Sequence, residues 1–201
     1  LDEIAARDLF LDQAPAILSM AEALGHQRPH IVLFGFDHSA EAVAVRMLTS
    51  LWSAKFEAPR LTVVTANATE TERGFDARFP QARAHKIWKA DIAFLSFDWR
   101  QASADDQTLR YIEDERGPPT AFVVSTGGDS DNIAISLGLL RTCNAGDPNP
   151  TWPAPIYLKE NSESEFTKLY ASGDKTPDQL DAYMLAFGEV ERVATRAAIL
   201  D

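Results

Sequence analysis

Cysteine is almost missing from this chain: Cys143 is the only one in 201 residues. No internal disulfide and no cysteine-based zinc site can form, which fits a reducing, cytoplasmic compartment. Basic residues are also scarce. Nineteen Lys and Arg stand against 30 Asp and Glu, for a net charge of −11. That balance repels phosphate backbones and anionic lipid, and so argues against nucleic acid or a membrane surface held through bulk charge. No apolar run approaches the roughly 20 residues that span a bilayer. Repeats and low-complexity tracts are lacking. The start, Leu1-Asp2-Glu3, has no methionine, no basic segment and no apolar segment behind it. It reads as an excised piece of a longer chain rather than a signal peptide. What remains is ordinary: 45% hydrophobic and 24% charged residues exclude disordered and fibrous classes. The length suits one generous domain, or one domain with an appendage.

The order of apolar runs carries the fold. Leu1 to Leu24 has helical spacing, with a break or kink expected at Pro15. Residues 1–28 are therefore read as a helical extension, and residues 29–201 as the domain proper. His30 to Phe36 is a continuous apolar run closing on Gly35-Phe36, and reads as a strand buried on both faces. Ser39 to Ser53 then has helical period. The unit recurs as Leu61–Thr65 before a helical Glu70–Phe79, and as Asp91–Phe97 before a helical Ala104–Arg116 that Gly117-Pro118-Pro119 stops. Ala121–Thr126 precedes a helix over Asp129–Thr142, and Pro155–Lys159 is a fifth strand. Arg83–Trp88 is ambiguous, with an edge strand as one reading, and Asn144–Pro155 reads as a surface loop. Helices are expected over Ser162–Ala171 and from Thr176 to Gly188, with a short sixth strand over Val190–Thr195. Strands alternating with helices mean a doubly wound parallel α/β sheet of about six strands.

In such a sheet, ligands bind beyond the carboxyl ends of the strands, where strand order reverses. The turn after the first strand is Gly35-Phe36-Asp37-His38-Ser39-Ala40, against the dinucleotide pattern G-x-G-x-x-G/A. Gly35 serves the tight turn and Ala40 the close helix–strand packing, but Asp37 stands where a second glycine admits a pyrophosphate. Two like charges about 4 Å apart repel by roughly 4 kcal/mol at an effective dielectric of 20, about three orders of magnitude in affinity. His38 and the helix amides offset part of this if His38 is protonated. Asp37 as a plain helix cap is an equal reading. After the second strand, Thr65-Ala66-Asn67 supplies no acid for ribose hydroxyls, only Asn67, with Arg73 as either a phosphate contact or a solvated residue. Asp98, between Phe97 and Trp99, suits an adenine amino group or a cap. Ser125-Thr126-Gly127-Gly128-Asp129 after the fourth strand permits close backbone approach, or is simply a glycine turn into the next helix with Asp129 near its positive end.

These residues resemble the N-terminal Rossmann-type domain of the TrkA and RCK proteins, regulators of potassium channels and transporters. The matching pieces are His30 to Phe36 with Ala40, Asp98, Ser125 to Asp129 with Asn132, Ile156 to Lys159, and Leu185 to Gly188 into Val190 as a last helix and strand. The similarity covers residues 29 to 196. It implies a cytosolic domain that binds a nucleotide, NAD or a related adenine nucleotide, and passes a conformational signal to a membrane channel or transporter. It also implies a homodimer or a larger homo-oligomer. Phe187 to Thr195 resembles the lead-in to a small RyR-type module fused to TrkA-like domains in some bacterial proteins. The ligand-bearing departures, Asp37 and the missing acid at Thr65 to Asn67, count against NAD itself.

Catalytic motifs are absent. The residues four after Tyr111, Tyr157, Tyr170 and Tyr183 are Glu115, Asn161, Asp174 and Phe187, so the Tyr–Lys pair of a short-chain dehydrogenase does not occur. All four histidines lie within the first 85 residues, away from where a hydroxyacid dehydrogenase keeps its catalytic histidine. There is no G-x-S-x-G, P-loop or H-E-x-x-H. Cys143 ends an apolar helix face and reads as a buried structural thiol. A ligand-sensing regulatory domain is the leading expectation. An oxidoreductase fragment and a non-binding Rossmann scaffold for assembly are the alternatives.

Overall fold

The computed structural model describes residues 2–81, 91–97, 106–143, 152–160 and 184–188. Six strands, β1 (His30–Phe34), β2 (Arg60–Thr65), β3 (Asp91–Ser96), β4 (Ala121–Val124), β5 (Ile156–Lys159) and β6 (Met184–Phe187), form one sheet. Their order is β3-β2-β1-β4-β5-β6, and every neighbouring pair is parallel. This is the Rossmann-like doubly wound arrangement, with the order reversing between β1 and β4. The helices are α1 (Asp2–Ala23), α2 (His38–Ser50), α3 (Ala68–Arg78), α4 (Asp106–Arg116) and α5 (Asp129–Thr142).

Strand alternation explains why the runs are apolar at every position. Ile31, Leu33, Leu61, Val63, Ala121, Val123 and Tyr157 face one layer, with Val43, Met47 and Leu48 of α2 and Phe75 of α3. Val32, Phe34, Val64, Phe122, Val124 and Leu158 face the other, with Leu109 and Ile112 of α4 and Ile133 and Leu139 of α5. Both faces are covered, so neither can be polar. Ala5, Ala6, Leu9, Phe10, Ala14 and Ile17 of α1 join the first layer, which makes that helix part of the core.

Three expectations are corrected. First, the break at Pro15 does not occur: α1 is one helix from Asp2 to Ala23 with Pro15 inside it, and Ala14 and Ile17 on either side of the proline are packed in the core. Second, residues 184–187 are a strand, not the end of a helix. Met184, Leu185, Ala186 and Phe187 pair with Ile156, Tyr157, Leu158 and Lys159, and Gly188, at φ +80°, ends the strand. Four apolar residues in a row fit either structure, and the exposed edge of β5 decides for the strand. Third, Trp152 and Ala154, read as surface loop, are 2% exposed in the second layer. Their indole and methyl groups bury apolar area that loop composition does not announce. The expected helices over Ser162–Ala171 and from Thr176, the strand over Val190–Thr195 and the ambiguous Arg83–Trp88 lie outside the described residues.

Candidate functional site

Gly35 leaves β1 at φ +86°, a conformation that L side chains rarely adopt. Its amide donates to the Val64 carbonyl at 2.9 Å. A Cβ there would lie 2.8 Å from both the Ser125 carbonyl carbon and the Thr126 Cα, so only glycine lets the β1 and β4 turns touch. Phe36 is half-buried and packs against the core: its ring meets Phe75 and Phe94 edge-on, with centroids 5.8 and 5.5 Å apart.

Asp37 is the N-cap of α2, accepting the Ala40 amide at 2.8 Å. The same carboxylate oxygen accepts the Ser125 hydroxyl at 2.7 Å. One side chain therefore satisfies a helix amide that a phosphate would otherwise take, and ties the β1 turn to the β4 turn. His38 is exposed, while Ser39 and Ala40 are buried. The Ser39 hydroxyl donates to the carboxylate of Asp2, from the start of α1, and Lys159 Nζ lies 3.7 Å from that carboxylate. The Ser39 hydrogen bond, against the opposing effect of burial and with help from Lys159, holds the Asp2 carboxyl below its ordinary range. Two carboxylates thus crowd the first turn of α2.

Across the reversal point, Thr126 is clamped by Asn132. The Asn132 side-chain oxygen accepts the Thr126 amide at 2.8 Å and its hydroxyl at 2.9 Å, and its nitrogen donates to the Lys159 carbonyl at 2.9 Å. Gly127 follows at φ +92°, beside the Asp37 side chain. Thr65 is buried, and its carbonyl accepts the Phe97 amide at 2.9 Å. Asn67 is exposed, and its side chain donates to Glu70 at 2.9 Å. Arg73 is exposed. Asp98 lies outside the described residues. The fold thus gathers Gly35, Asp37, Ser39, Ala40, Thr126 and Gly127, and leaves Thr65 and Asn67 at the end of the neighbouring strand.

Comparison with known proteins adds little. The sequence matches no family model and no curated protein. Among solved structures, the chain is similar to the crystal structure of eIF2B beta from Chaetomium thermophilum, at 11% identity and a TM-score of 0.33. The match covers 94% of this chain and 57% of that one, so this chain spans less than two thirds of its neighbour's length.

Asp2 and Lys159 were not among the sequence-derived site residues, and Ser125 entered only as the first residue of the turn after the fourth strand. Asp2 and Lys159 gave no local signal, because the register of β5 and the course of α1 bring them to Ser39. Asn132, noted only through the family resemblance, had one: a polar residue amid Ile133 and Ile135 on a buried helix face. Cys143 is buried and its thiol is pushed up to about 12 by burial, so it is protonated and inert at neutral pH. Among the described residues, no three His, Cys, Asp or Glu side chains are placed to hold a metal, and no helix is long and apolar enough to cross a membrane.

Proposed function

We propose that this domain is a ligand-sensing regulatory unit of the kind its sequence resembles. Its ligand is an adenine nucleotide taken at the carboxyl edge of the sheet, where the Gly35 and Thr126 turns meet. The observation that carries this reading is the contact between those turns at the reversal of strand order. Gly35 permits it sterically, and Asp37 bridges it by accepting from Ala40 on one side and Ser125 on the other. A ligand that enters must break or share the Asp37 bonds. Binding is thereby coupled to the relative position of α2 and the β4 turn, which gives a signal to pass on. Homo-oligomerisation, and action on a channel, transporter or fused module, belong to the same proposal.

Asp37 also shapes the ligand. Its negative charge at the helix terminus, with Asp2 nearby, disfavours a diphosphate seated on α2 and favours a mononucleotide or a nucleoside moiety contacting the turns. A second reading has support from the same atoms: with both carboxylates satisfied internally, the turn is a finished structural joint, and the domain is a scaffold for assembly. Calorimetry with AMP, ATP, NAD, NADH, NADPH and cyclic dinucleotides separates the two. The sensor requires binding at about micromolar strength that Gly35→Trp abolishes. Absence of binding to the whole set leaves the scaffold.

A further inference from the structure

The opposite, amino-terminal edge of the sheet carries a second cluster that the nucleotide reading does not use. In a chain of net charge −11, Arg28, Arg60 and Arg116 converge on one cavity of about 460 Å³, which His26, His30 and Gly117 also line. Parallel register explains part of this: Arg60 stands opposite Asp91 across β2 and β3, and opposite His30 across β1 and β2. Asp91 receives Arg60 Nε at 2.8 Å and Arg116 Nη2 at 2.7 Å, with Arg28 Nη1 at 3.9 Å. Burial alone would raise the Asp91 carboxyl, but the hydrogen bonds from Arg116 and Arg60 outweigh it and hold it low.

The charged side chains that line the cavity itself are all arginines. Around them stand the carboxylates of Asp91 and of Glu57, the latter bonded to Arg28, with Glu113 acting on His26 from outside the lining. Arg60 Nη1 donates to the Arg116 carbonyl, and Arg116 uses Nε on Thr62 at 3.4 Å. Arg60 Nη2 and Arg116 Nη1 have no partner among the described residues. Both ring nitrogens of His30 are taken, by the Gly117 carbonyl and the Thr62 hydroxyl, and burial holds His26 and His30 below their ordinary value, so neither adds charge at neutral pH. Gly117, at φ +85°, keeps room for the Arg60 fork: a Cβ there would stand 3.2 Å from Nη1. Arg60 and Arg116 pin strand ends to α4, but Arg28 sits on the loop before β1 and pins nothing in the core.

We propose that this cavity binds a small dianionic group, a phosphate or pyrophosphate moiety, held by Arg28 together with the outer N–H groups of Arg60 and Arg116. Guanidinium forks match phosphate oxygens in pairs, and the cavity falls within the size of small-molecule sites. The site is distinct from the Gly35 turn and stands whether or not that turn binds a nucleotide.

The test is a titration of the 201-residue chain with sodium pyrophosphate, followed by amide chemical shifts and calorimetry. The expected result is saturable binding at about millimolar strength or tighter, with shifts confined to Gly25–His30, Arg60 and Arg116–Gly117. Arg28→Glu should weaken it by about tenfold or more with an unchanged circular dichroism spectrum, and Arg28→Lys, which keeps the charge and loses the fork, should fall between. No saturable binding, or shifts at Gly35–Ala40 instead, would overturn the proposal. So would binding unaffected by Arg28→Glu, or an oligoglutamate peptide that binds more tightly than pyrophosphate.

Discussion

His30 opens β1 with its imidazole 1% exposed, and it gives the fold a pH dependence that can be worked out. The Gly117 carbonyl, 2.8 Å from Nδ1, can only accept, so Nδ1 carries the proton. Nε2 then accepts from the Thr62 hydroxyl at 2.8 Å, and that oxygen in turn accepts from Arg116 Nε. Charging this ring means charging a buried group beside Arg60 and Arg116. Burial is the main cause that lowers its pKa from 6.5 to about 4. The unfolded chain therefore binds this proton more readily than the folded one. Stability from His30 is fully present above about pH 6.5 and is lost as pH falls toward about 4. Linkage puts the loss at about 2 to 3 kcal/mol by pH 4.5. Urea denaturation of the wild type and of His30→Gln at pH 7.5 and 4.5 measures it. His26, Asp2 and Asp91 titrate in both proteins and cancel in the comparison. The wild type should lose about 2 to 3 kcal/mol more than the variant over that interval. Parallel losses in the two proteins would refute the reasoning.

Other consequences follow from the turns. Gly35→Ala places a methyl against Ser125 and Thr126 in a left-handed backbone and should destabilise by roughly 3 kcal/mol or more, read by thermal unfolding. Asp37→Ala removes a cap and should cost about 1 kcal/mol, whereas Asp37→Asn should cost less. Asp37→Gly should raise dinucleotide affinity in calorimetry, and an unchanged affinity would show the charge argument to be wrong. Asn132→Leu leaves the Thr126 amide without its acceptor and should cost about 2 to 3 kcal/mol in urea denaturation. Burial pushes the Cys143 thiol up to about 12 and shields it, so its reaction with a disulfide reagent should track unfolding.

The sheet was legible because its first five runs combine apolar residues with turn residues at their ends, and the strand–helix alternation left one topology class. Where short apolar stretches lacked such punctuation, local pattern was ambiguous. Residues 184–187 read as helix until pairing with β5 decided otherwise, and Pro15 read as a break until α1 packed through it. The Gly35 to Ala40 turn was also legible, and so was Asp37 as a cap of the following helix, but its bridge to the β4 turn was not. Its second partner, Ser125, is 88 residues away in sequence, and only the meeting of two strand ends reveals it. The same holds for Asp2 at Ser39 and for the arginines around Asp91, where parallel register assembles charges that are scattered along the chain.

The central claim is that a nucleotide enters between the Gly35 and Thr126 turns. Amide shifts on adding AMP, and separately NADH, test it most directly. The account predicts saturable shifts at Gly35, Ser39, Ala40, Thr126 and Gly127, larger for AMP at equal concentration, and accompanied by a shift of the Ser125 amide as the Asp37 bridge rearranges. Unmoved resonances at these five residues with both nucleotides would contradict it.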